Sequence, residues 1–309
     1  MNRGSCIVRR RTFPAVLVAL LSLLGACRSV TLPAPQSPAR LPAPVAATSP
    51  PAASAALVRD DRLGALLWFQ TAAEYRILAL STYSQASAAL DRALADPTWT
   101  AAVEQGEAFS TLPPAVIVDV DETVLDNSPL EARLVLAGRR YNPVDWKEWI
   151  ETAEAEPIPG ALEFARKAAA RGVTLFYVTN RAAADEAKTR QNLIAKGFPV
   201  RSDIDAVLTQ GERPEFVAAK ASRRAEVAKA FRVLLLVGDD LNDFITGARA
   251  LPEERVAVAE RHAAMWGARW FLLPNPDYGS WEKALYGNER GLSEEEILRR
   301  KLARLRLPK

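Results

Sequence analysis

Acidic residues cluster at one point of the sequence, directly after a short apolar run. Residues 116–118 have the character of a strand covered on both faces, and Asp119 and Asp121 follow, two positions apart. Side chains two positions apart on a strand point the same way, so the two carboxylates would lie side by side. Two ionised carboxylates repel each other unless a cation or a shared proton lies between them. This spacing therefore predicts a site that binds a cation or transfers a proton.

Further polar residues stand beside later apolar runs. Those whose side chains could bind a ligand or take part in a reaction are Thr179, Asn180, Lys220, Asp239 and Asp243. Each is a weak signal alone, because a Thr-Asn pair often forms an ordinary turn or helix cap and a single lysine is usually a solvated charge. Four of them follow the end of an apolar run and Lys220 lies on the helical stretch before one, and this combination predicts that a single site gathers them.

Apolar runs alternate with helical patterns over most of the chain. Strands are predicted at residues 115–120, 173–179, 206–208, 233–237 and 269–273. Helices are predicted at residues 63–94, 161–170, 183–196, 217–230 and 242–249. This alternation is typical of an α/β fold with a doubly wound parallel sheet and right-handed crossovers. Ligands bind at the carboxyl ends of the strands in such sheets, where the polar residues above are predicted to lie.

Residues 1–26 have the features of a bacterial signal peptide. A basic start with four arginines and no acidic residue precedes an apolar run, residues 15–24, that is too short to span a bilayer. Residues 24–27 resemble a lipobox, so Cys27 is predicted to be lipidated. The alternative is an ordinary secretory peptide with a chance cysteine, and both the Sec and the Tat export routes stay open. The four arginines exceed the whole net charge of +3, so the basic balance indicates no nucleic-acid partner.

Residues 27–58 are predicted to tether the folded part of the chain to a membrane. From Ser29 to about Ala56 the chain is rich in Pro, Ala and Ser and has hardly any large apolar side chain, so it cannot bury a core. The folded domain is then expected at residues 59–309. Arg28 follows the predicted lipidated cysteine, and by resemblance to enterobacterial sorting rules this favours the outer membrane of the cell envelope.

The residue inventory excludes several other hydrolytic sites. His262 is the only histidine, so the sequence cannot supply the paired histidines of a phosphohistidine enzyme or the several histidines of many zinc sites. Cys6 is the only cysteine besides Cys27 and falls in the predicted signal peptide, which leaves no thiol for a cysteine nucleophile. Neither a G-x-S-x-G turn nor a Walker A loop occurs.

Four short motifs resemble those of the haloacid dehalogenase (HAD) superfamily of phosphohydrolases. In chain order they are Asp119-Val120-Asp121-Glu122-Thr123, Thr179, Lys220, and Gly238-Asp239 with Asp243. Longer stretches are similar to the class C, or lipoprotein e type, acid phosphatases and 5'-nucleotidases, namely residues 68–75, 118–129, 176–181, 237–241 and 273–282. The similarity extends roughly from residue 68 to residue 286, and the lipobox agrees with it. Leu130 and Asp240 depart from the family, which often has Tyr and Asn there.

The resemblance implies hydrolysis of phosphomonoesters through a covalent intermediate. Asp119 would be the nucleophile that forms an aspartyl-phosphate, and Asp121 would protonate the leaving oxygen and then take a proton from water. Mg²⁺ is the implied cofactor, held by the carboxylates of Asp119 and Asp239 and by the backbone carbonyl of Asp121. Asp243 would complete the cluster, either as a ligand through water or as an orienter of Lys220.

The resemblance also implies which groups hold the substrate. Thr179, the Asn180 amide and Lys220 would bind phosphate oxygens. Trp146 and Tyr278 match positions that stack on a nucleobase in the family. Nucleoside monophosphates are therefore the expected substrates. The alternatives are a phosphatase of small non-nucleotide phosphoesters and a non-catalytic surface-binding lipoprotein on the same fold.

A smaller, mainly helical cap over the site is expected at about residues 59–110 and 127–158. Two further tryptophans, Trp149 and Trp281, are expected to pack the cap against the rest of the domain. The expected partners are a small phosphomonoester and a membrane, with no nucleic acid polymer. The number of subunits stays open, and a homodimer is one alternative.

Overall fold

A computed structural model of the chain describes residues 60–308. The predicted signal peptide, the lipidated Cys27 and the tether lie outside the described residues. Among the residues that are described, no helix is both long enough and apolar enough to cross a membrane. The described part is built around a sheet, whose strand ends carry the carboxylates discussed above.

The strands between residues 60 and 308 form two sheets. They are β1 (Pro114–Val118), β2 (Leu125–Asp126), β3 (Glu156–Pro157), β4 (Thr174–Ala182), β5 (Val207–Gln210), β6 (Arg232–Gly238) and β7 (Trp270–Leu272). Five of them lie side by side in the order β5-β4-β1-β6-β7, and every neighbouring pair is parallel. The other two, β2 and β3, form a short antiparallel ribbon. After β1 the chain forms β4 and β5 on one side of β1 and then crosses over to form β6 and β7 on the other side. The carboxyl end of β1 therefore lies at the switch point where such sheets bind ligands.

Helices cover both faces of the five-stranded sheet. They are α1 (Leu63–Thr71), α2 (Ala73–Ala95), α3 (Ser128–Leu136), α4 (Pro143–Thr152), α5 (Ala161–Ala170), α6 (Glu186–Ala195), α7 (Ala221–Ala230), α8 (Pro252–Arg261), α9 (Ser280–Leu285) and α10 (Glu294–Leu302). Val116 and Val118 of β1 pack in one cluster with α2 and α5, whereas Ile117 packs in the opposite cluster with Val227 of α7 and Val258 of α8. Burial on both faces explains the continuous apolar run. The predicted doubly wound α/β fold with a parallel sheet is confirmed.

The segments predicted to form the cap divide between two layers. Helix α2 packs on α5 and on strands β6 and β7, so it belongs to the layer that covers the sheet. Helix α1 instead contacts α3, and α3 contacts α4, which follows it in the chain after the carboxyl end of β1. Helices α1, α3 and α4 therefore form a small group, called the cap below, which the β2–β3 ribbon connects to the sheet layer and in which α4 also contacts α6.

The prediction of a single helix over residues 63–94 is wrong, because the structure has two helices there. They are separated at Ala72, whose backbone is extended with ψ of 130°. The bend allows Phe69 and Tyr75 to pack with ring centroids 4.1 Å apart, both side chains being buried. No glycine or proline marks the break, so the helical periodicity could not reveal it.

The helix predicted over residues 242–249 is also wrong. A short 3-10 turn, Leu241–Asp243, stands at its start and irregular chain follows. The side chain of Asp240 accepts a hydrogen bond from the N–H of Asn242 at 2.9 Å, and the carboxylate of Asp243 accepts two backbone N–H groups of the preceding residues. These short polar side chains compete with helical hydrogen bonds and hold the chain in a turn.

Candidate active site

A tight turn holds the first acidic residues at the carboxyl end of β1. The N–H of Asp119 donates to a carbonyl of β6 at 3.0 Å, which extends the strand pairing by one residue. The chain then reverses, since the N–H groups of Val124 and Leu125 both donate to the Val120 carbonyl at 2.9 Å. Glu122 lies in this turn with φ of +54°, a left-handed conformation that costs a side-chain residue about 1–2 kcal/mol. Such strain is found most often at functional sites.

Three carboxyl groups, buried or half-buried, and one lysine meet beyond this turn. Asp119, Asp239 and Asp243 each place an oxygen within 4.8 Å of the others. Lys220 is 4% exposed, and its Nζ contacts Asp119 and lies 2.6 Å from Oδ1 of Asp243. Burial raises the pKa of all three carboxyl groups, that of Asp243 to about 7. Burial alone would lower the pKa of Lys220, but the charges of Asp119 and Asp243 raise it, so the lysine stays protonated.

The positive charge of one lysine cannot balance the negative charge of three ionised carboxylates. Buried charge of one sign is costly unless a counter-ion pairs with it, and the raised pKa values of the three acids express that cost. Carboxylate oxygens are the ligands that hard divalent cations such as Mg²⁺ prefer. The donor set of Asp119, Asp239 and Asp243 therefore fits a divalent metal ion.

Hydrogen bonds fix the two carboxylates that follow β6. Thr123 donates to Oδ1 of Asp239 at 3.1 Å, and the side-chain amide of Asn275 donates to Oδ2 at 2.8 Å. Oδ2 of Asp243 accepts two backbone N–H groups of the same turn, at 3.1 and 2.9 Å. This close approach requires Gly238, because a Cβ there would collide with the Asp243 carboxylate.

Two buried arginines position Lys220. The helix predicted over residues 217–230 starts later than expected, as α7 begins one residue after Lys220. Arg223 and Arg224 lie in its first turn and are fully buried. Arg223 donates to the carbonyl of Thr179 at the end of β4, and Arg224 donates to carbonyls of the loop after β6 at 3.0 and 3.1 Å. The start of α7 is thereby tied to β4 and to the loop after β6, and Lys220 is fixed between them.

A different set of groups holds Asp121. Its Oδ1 accepts Nε and Nη2 of Arg181 at 2.9 and 2.8 Å and the side-chain amide of Asn127 at 2.9 Å. Its Oδ2 accepts the hydroxyl of Thr179 at 3.3 Å. Sequence reasoning missed both Arg181 and Asn127. The signal for Arg181 was present, because it follows Thr179 by two positions on β4 and so lies on the same face of the strand.

The side chain of Asn180 does not join this group. On β4 it points to the opposite face from its neighbour Thr179, and it is exposed. Its amide nitrogen donates to the Ala218 carbonyl at 3.1 Å, and its amide oxygen accepts a hydrogen bond from Arg223 at 2.6 Å. The side chain therefore connects β4 to the segment before α7.

Trp146 reaches the site from the cap. It lies in the first turn of α4, whose N-terminus is capped by the side chain of Asn142. Its half-buried ring lies 5.6 Å from the guanidinium carbon of Arg181 and 6.0 Å from the ring of Tyr141, which is 58% exposed. Sequence reasoning did not single out Tyr141. Trp146 thus connects the cap to the arginine that holds Asp121.

Tyr278 lies on the irregular segment after β7 and is half-buried. Its N–H donates to the side chain of Asn275 at 3.3 Å, and Asn275 in turn donates to a carboxylate of the acidic cluster. The other two tryptophans make hydrogen bonds within the protein. Trp149 donates to Asn127 at 2.7 Å, and Trp281 donates to the carbonyl of Asn275 at 3.1 Å.

The family and fold of similar proteins agree with this geometry. A family model described as HAD superfamily, subfamily IIIB (Acid phosphatase), matches residues 66–281. The structure of the class C acid phosphatase from Bacillus anthracis superposes with a TM-score of 0.72 at 33% sequence identity, covering 80% of this chain and 98% of that chain. The crystal structure of that class C acid phosphatase with tungstate bound gives a TM-score of 0.70 at 32% identity, with the same coverage.

Two plant proteins are similar over a shorter stretch. Acid phosphatase 1 from Solanum lycopersicum is 26% identical over 166 residues, which are 52% of this chain and 57% of that protein. The stem 28 kDa glycoprotein from Glycine max is 23% identical over 164 residues, or 52% of this chain and 58% of that protein. The chain thus spans little more than half the length of these relatives.

Proposed function

The chain belongs to the acid phosphatases of the HAD superfamily, subfamily IIIB, and we propose that it is a metal-dependent acid phosphatase and 5'-nucleotidase that works through an aspartyl-phosphate. The observation that carries the proposal is the convergence of Asp119, Asp121 and Lys220 beyond β1, with Thr179 hydrogen-bonded to Asp121. A nucleophile, a proton donor and fixed positive charge are what phosphomonoester hydrolysis requires.

In the first step of the proposed reaction the phosphoryl group moves to the protein. A carboxylate oxygen of Asp119 attacks phosphorus while the bond from phosphorus to the leaving oxygen breaks. The proton of Asp121 passes to that leaving oxygen, so an alcohol departs rather than an alkoxide. Lys220 holds the phosphoryl oxygens and balances their negative charge, and the hydroxyl of Thr179 joins it by turning from Asp121 to a phosphoryl oxygen when substrate binds.

In the second step water releases phosphate. A water oxygen attacks the phosphorus of the aspartyl-phosphate and gives its proton to Asp121, which lost one in the first step. The bond between Asp119 and phosphorus breaks, and the carboxylate is restored. Asp121 therefore ends each cycle protonated, ready for the next leaving group.

We propose that Asp119 and Asp239, with the backbone carbonyl of Asp121, hold Mg²⁺. When bound, the ion supplies positive charge that stabilises the phosphoryl oxygens. Asp243 has Oδ1 engaged by Lys220 and Oδ2 engaged by two backbone N–H groups. This occupation favours Asp243 as an orienter of Lys220, with any metal contact made through water.

A panel of phosphomonoesters tests the proposed function. With Mg²⁺, the purified protein is expected to release phosphate from nucleoside monophosphates with a higher kcat/KM than from glycerol phosphate. Excess EDTA is expected to remove this activity and added Mg²⁺ to restore it, because the acidic cluster needs a counter-ion. Phosphate release at each substrate concentration gives both results.

Three other outcomes of this substrate panel would favour a different function or mechanism. Equal kcat/KM for glycerol phosphate and nucleotides would favour a general phosphatase of small phosphoesters. Full activity in excess chelator would contradict the metal-dependent mechanism. Release of no phosphate from any ester would leave a binding lipoprotein on a phosphatase fold as the better proposal.

Substitution of the two candidate stacking residues tests the nucleotide preference. Trp146→Ala and Tyr278→Ala are each expected to raise KM for nucleoside monophosphates and to leave KM for glycerol phosphate unchanged. The loss of one stacking face costs about 1–3 kcal/mol, which corresponds to roughly a 5- to 150-fold rise in KM. Tyr278→Ala is the cleaner variant, since Trp146 also lies against Arg181. A matching rise for both substrates would show that these rings pack the protein instead.

We also propose that Cys27, outside the described residues, is lipidated and anchors the protein in the outer membrane of the cell envelope. A second acyl chain makes such anchoring stable, whereas one chain alone binds reversibly. Cys27→Ser is expected to abolish incorporation of labelled fatty acid. Equal labelling of the variant and the wild type would contradict lipidation at this position.

A further inference from the structure

Arg181 is a buried charged residue to which the catalytic steps above assign no role. Its side chain is 1% exposed, although a buried guanidinium is costly unless its donors are paired. Four hydrogen bonds engage it, two to Oδ1 of Asp121, one to the hydroxyl of Thr189 at 3.3 Å and one to the amide oxygen of Asn127 at 3.4 Å. Four of its five N–H donors are engaged inside the protein and the side chain is almost fully buried, so Arg181 is not placed to bind a phosphate oxygen from solvent.

The two oxygens of Asp121 differ sharply in their surroundings. Oδ1 accepts three N–H donors, two from Arg181 and one from Asn127, at 2.8 to 2.9 Å. Oδ2 accepts one hydroxyl, that of Thr179, at 3.3 Å. An oxygen that already accepts three N–H groups has no lone pair left for a proton. Only Oδ2 can give or take a proton without breaking this arrangement.

We propose that Arg181 is a positioning residue that fixes the Asp121 carboxyl group so that Oδ2 is the oxygen that exchanges protons with the leaving group and with water. This inference rests on the proposed function, in which Asp121 is the general acid and base. Arg181 touches neither the substrate nor the reacting atoms and acts through Asp121.

The shape of the guanidinium explains why arginine suits this position. Its Nε and Nη2 donate to the same carboxylate oxygen while Nη1 binds Thr189 on α6, so the arginine holds that oxygen at two points and is itself anchored at a third. A lysine has one point of attachment and would hold the charge nearby without fixing the rotation. Trp146 lies over the guanidinium, so the cap also contributes to its position.

Leaving-group dependence separates positioning of Asp121 from a purely structural role. A nitrophenolate leaves without protonation, whereas the alkoxide of a nucleoside or of glycerol needs a proton. A misaligned Asp121 therefore slows alkyl ester cleavage and largely spares the first step with nitrophenyl phosphate. A general loss of structure would slow both in proportion.

The test compares Arg181→Gln, Arg181→Lys and the control Arg232→Lys in the full protein with Mg²⁺. Arg232 is a buried arginine at the start of β6 whose side chain binds backbone carbonyls, away from the acidic cluster. Rapid-quench kinetics give the rate of the first step with nitrophenyl phosphate and the kcat with an alkyl phosphate. Urea unfolding midpoints give the stability of each variant.

Arg181→Gln is expected to lower kcat for the alkyl phosphate by about 10²-fold, with KM little changed, and to lower the nitrophenyl first step less than tenfold. Arg181→Lys keeps the positive charge, so it is expected to be more stable than Arg181→Gln and to recover part of the kcat for the alkyl phosphate. Arg232→Lys is expected to show no difference between the two esters.

If both Arg181 variants lost rate on the two esters in the same proportion, the positioning role would be overturned. It would also be overturned if Arg232→Lys slowed the alkyl phosphate far more than the nitrophenyl phosphate. A wild type that forms no phosphoenzyme would instead overturn the proposed function and, with it, this assignment. Acid trapping of phosphoenzyme from the wild type therefore distinguishes the two failures.

Discussion

Asp119→Asn is expected to abolish turnover of every phosphomonoester. An amide cannot attack phosphorus in place of the carboxylate, so no covalent intermediate forms and both steps are lost. Loss of a covalent nucleophile costs on the order of 10⁶ in rate. Phosphate release from nitrophenyl phosphate and acid trapping of labelled phosphoenzyme measure the effect, because the first reports turnover and the second reports the intermediate.

The fold is expected to survive this substitution. Lys220 keeps Asp243 as a partner at 2.6 Å, and the change removes one of three mutually repelling acids of the cluster. Asp203→Asn is the matched control, since that aspartate is 62% exposed and pairs only with a surface arginine. The control should retain wild-type kcat. Phosphoenzyme trapped from the Asp119 variant would assign the nucleophile to another residue.

The sheet and most of the site could be predicted because topology places them. Parallel strands end at one edge, so polar residues at or near the carboxyl ends of β1, β4 and β6 had to meet there, and the structure brings Asp119, Thr179 and Asp239 to that edge. The resemblance to the class C acid phosphatases, drawn from the same motifs, is confirmed by the family match and by the similar structures. At these positions the sequence pattern of apolar runs followed by polar residues matches the strands and strand ends of the fold.

What could not be predicted depends on contacts between distant segments. Asn180 and Arg181 are neighbours in the sequence, yet strand alternation sends Asn180 toward the segment before α7 and Arg181 toward Asp121. The bend at Ala72 has no breaker residue and depends on the packing of Phe69 against Tyr75. Alternation along a strand predicts that Asn180 and Arg181 point to opposite faces, but neither the distant partners of these side chains nor the bend at Ala72 is visible in composition or periodicity.

Asp121→Asn is expected to separate substrates by leaving group rather than to abolish activity. The variant keeps the nucleophile, and its amide oxygen can still accept the hydrogen bonds of Arg181 and Asn127. What it loses is the proton at the second oxygen, next to Thr179. General acid catalysis is worth about 10² to 10⁴ in rate, so alkyl phosphates should lose that much while the first step with nitrophenyl phosphate largely survives.

The second step provides an independent signature of the same residue. Water activation also needs the proton acceptor at Asp121, so the phosphoenzyme should accumulate and nitrophenolate should appear in a burst followed by slow turnover. Asp119→Asn, which lacks the nucleophile, should show no burst under the same conditions, and this contrast assigns one role to each aspartate. If Asp121→Asn lost activity on both classes of ester equally and gave no burst, Asp119 would not be the nucleophile with Asp121 as a separate general acid and base. Proton transfer would then have to come from another group near the leaving oxygen.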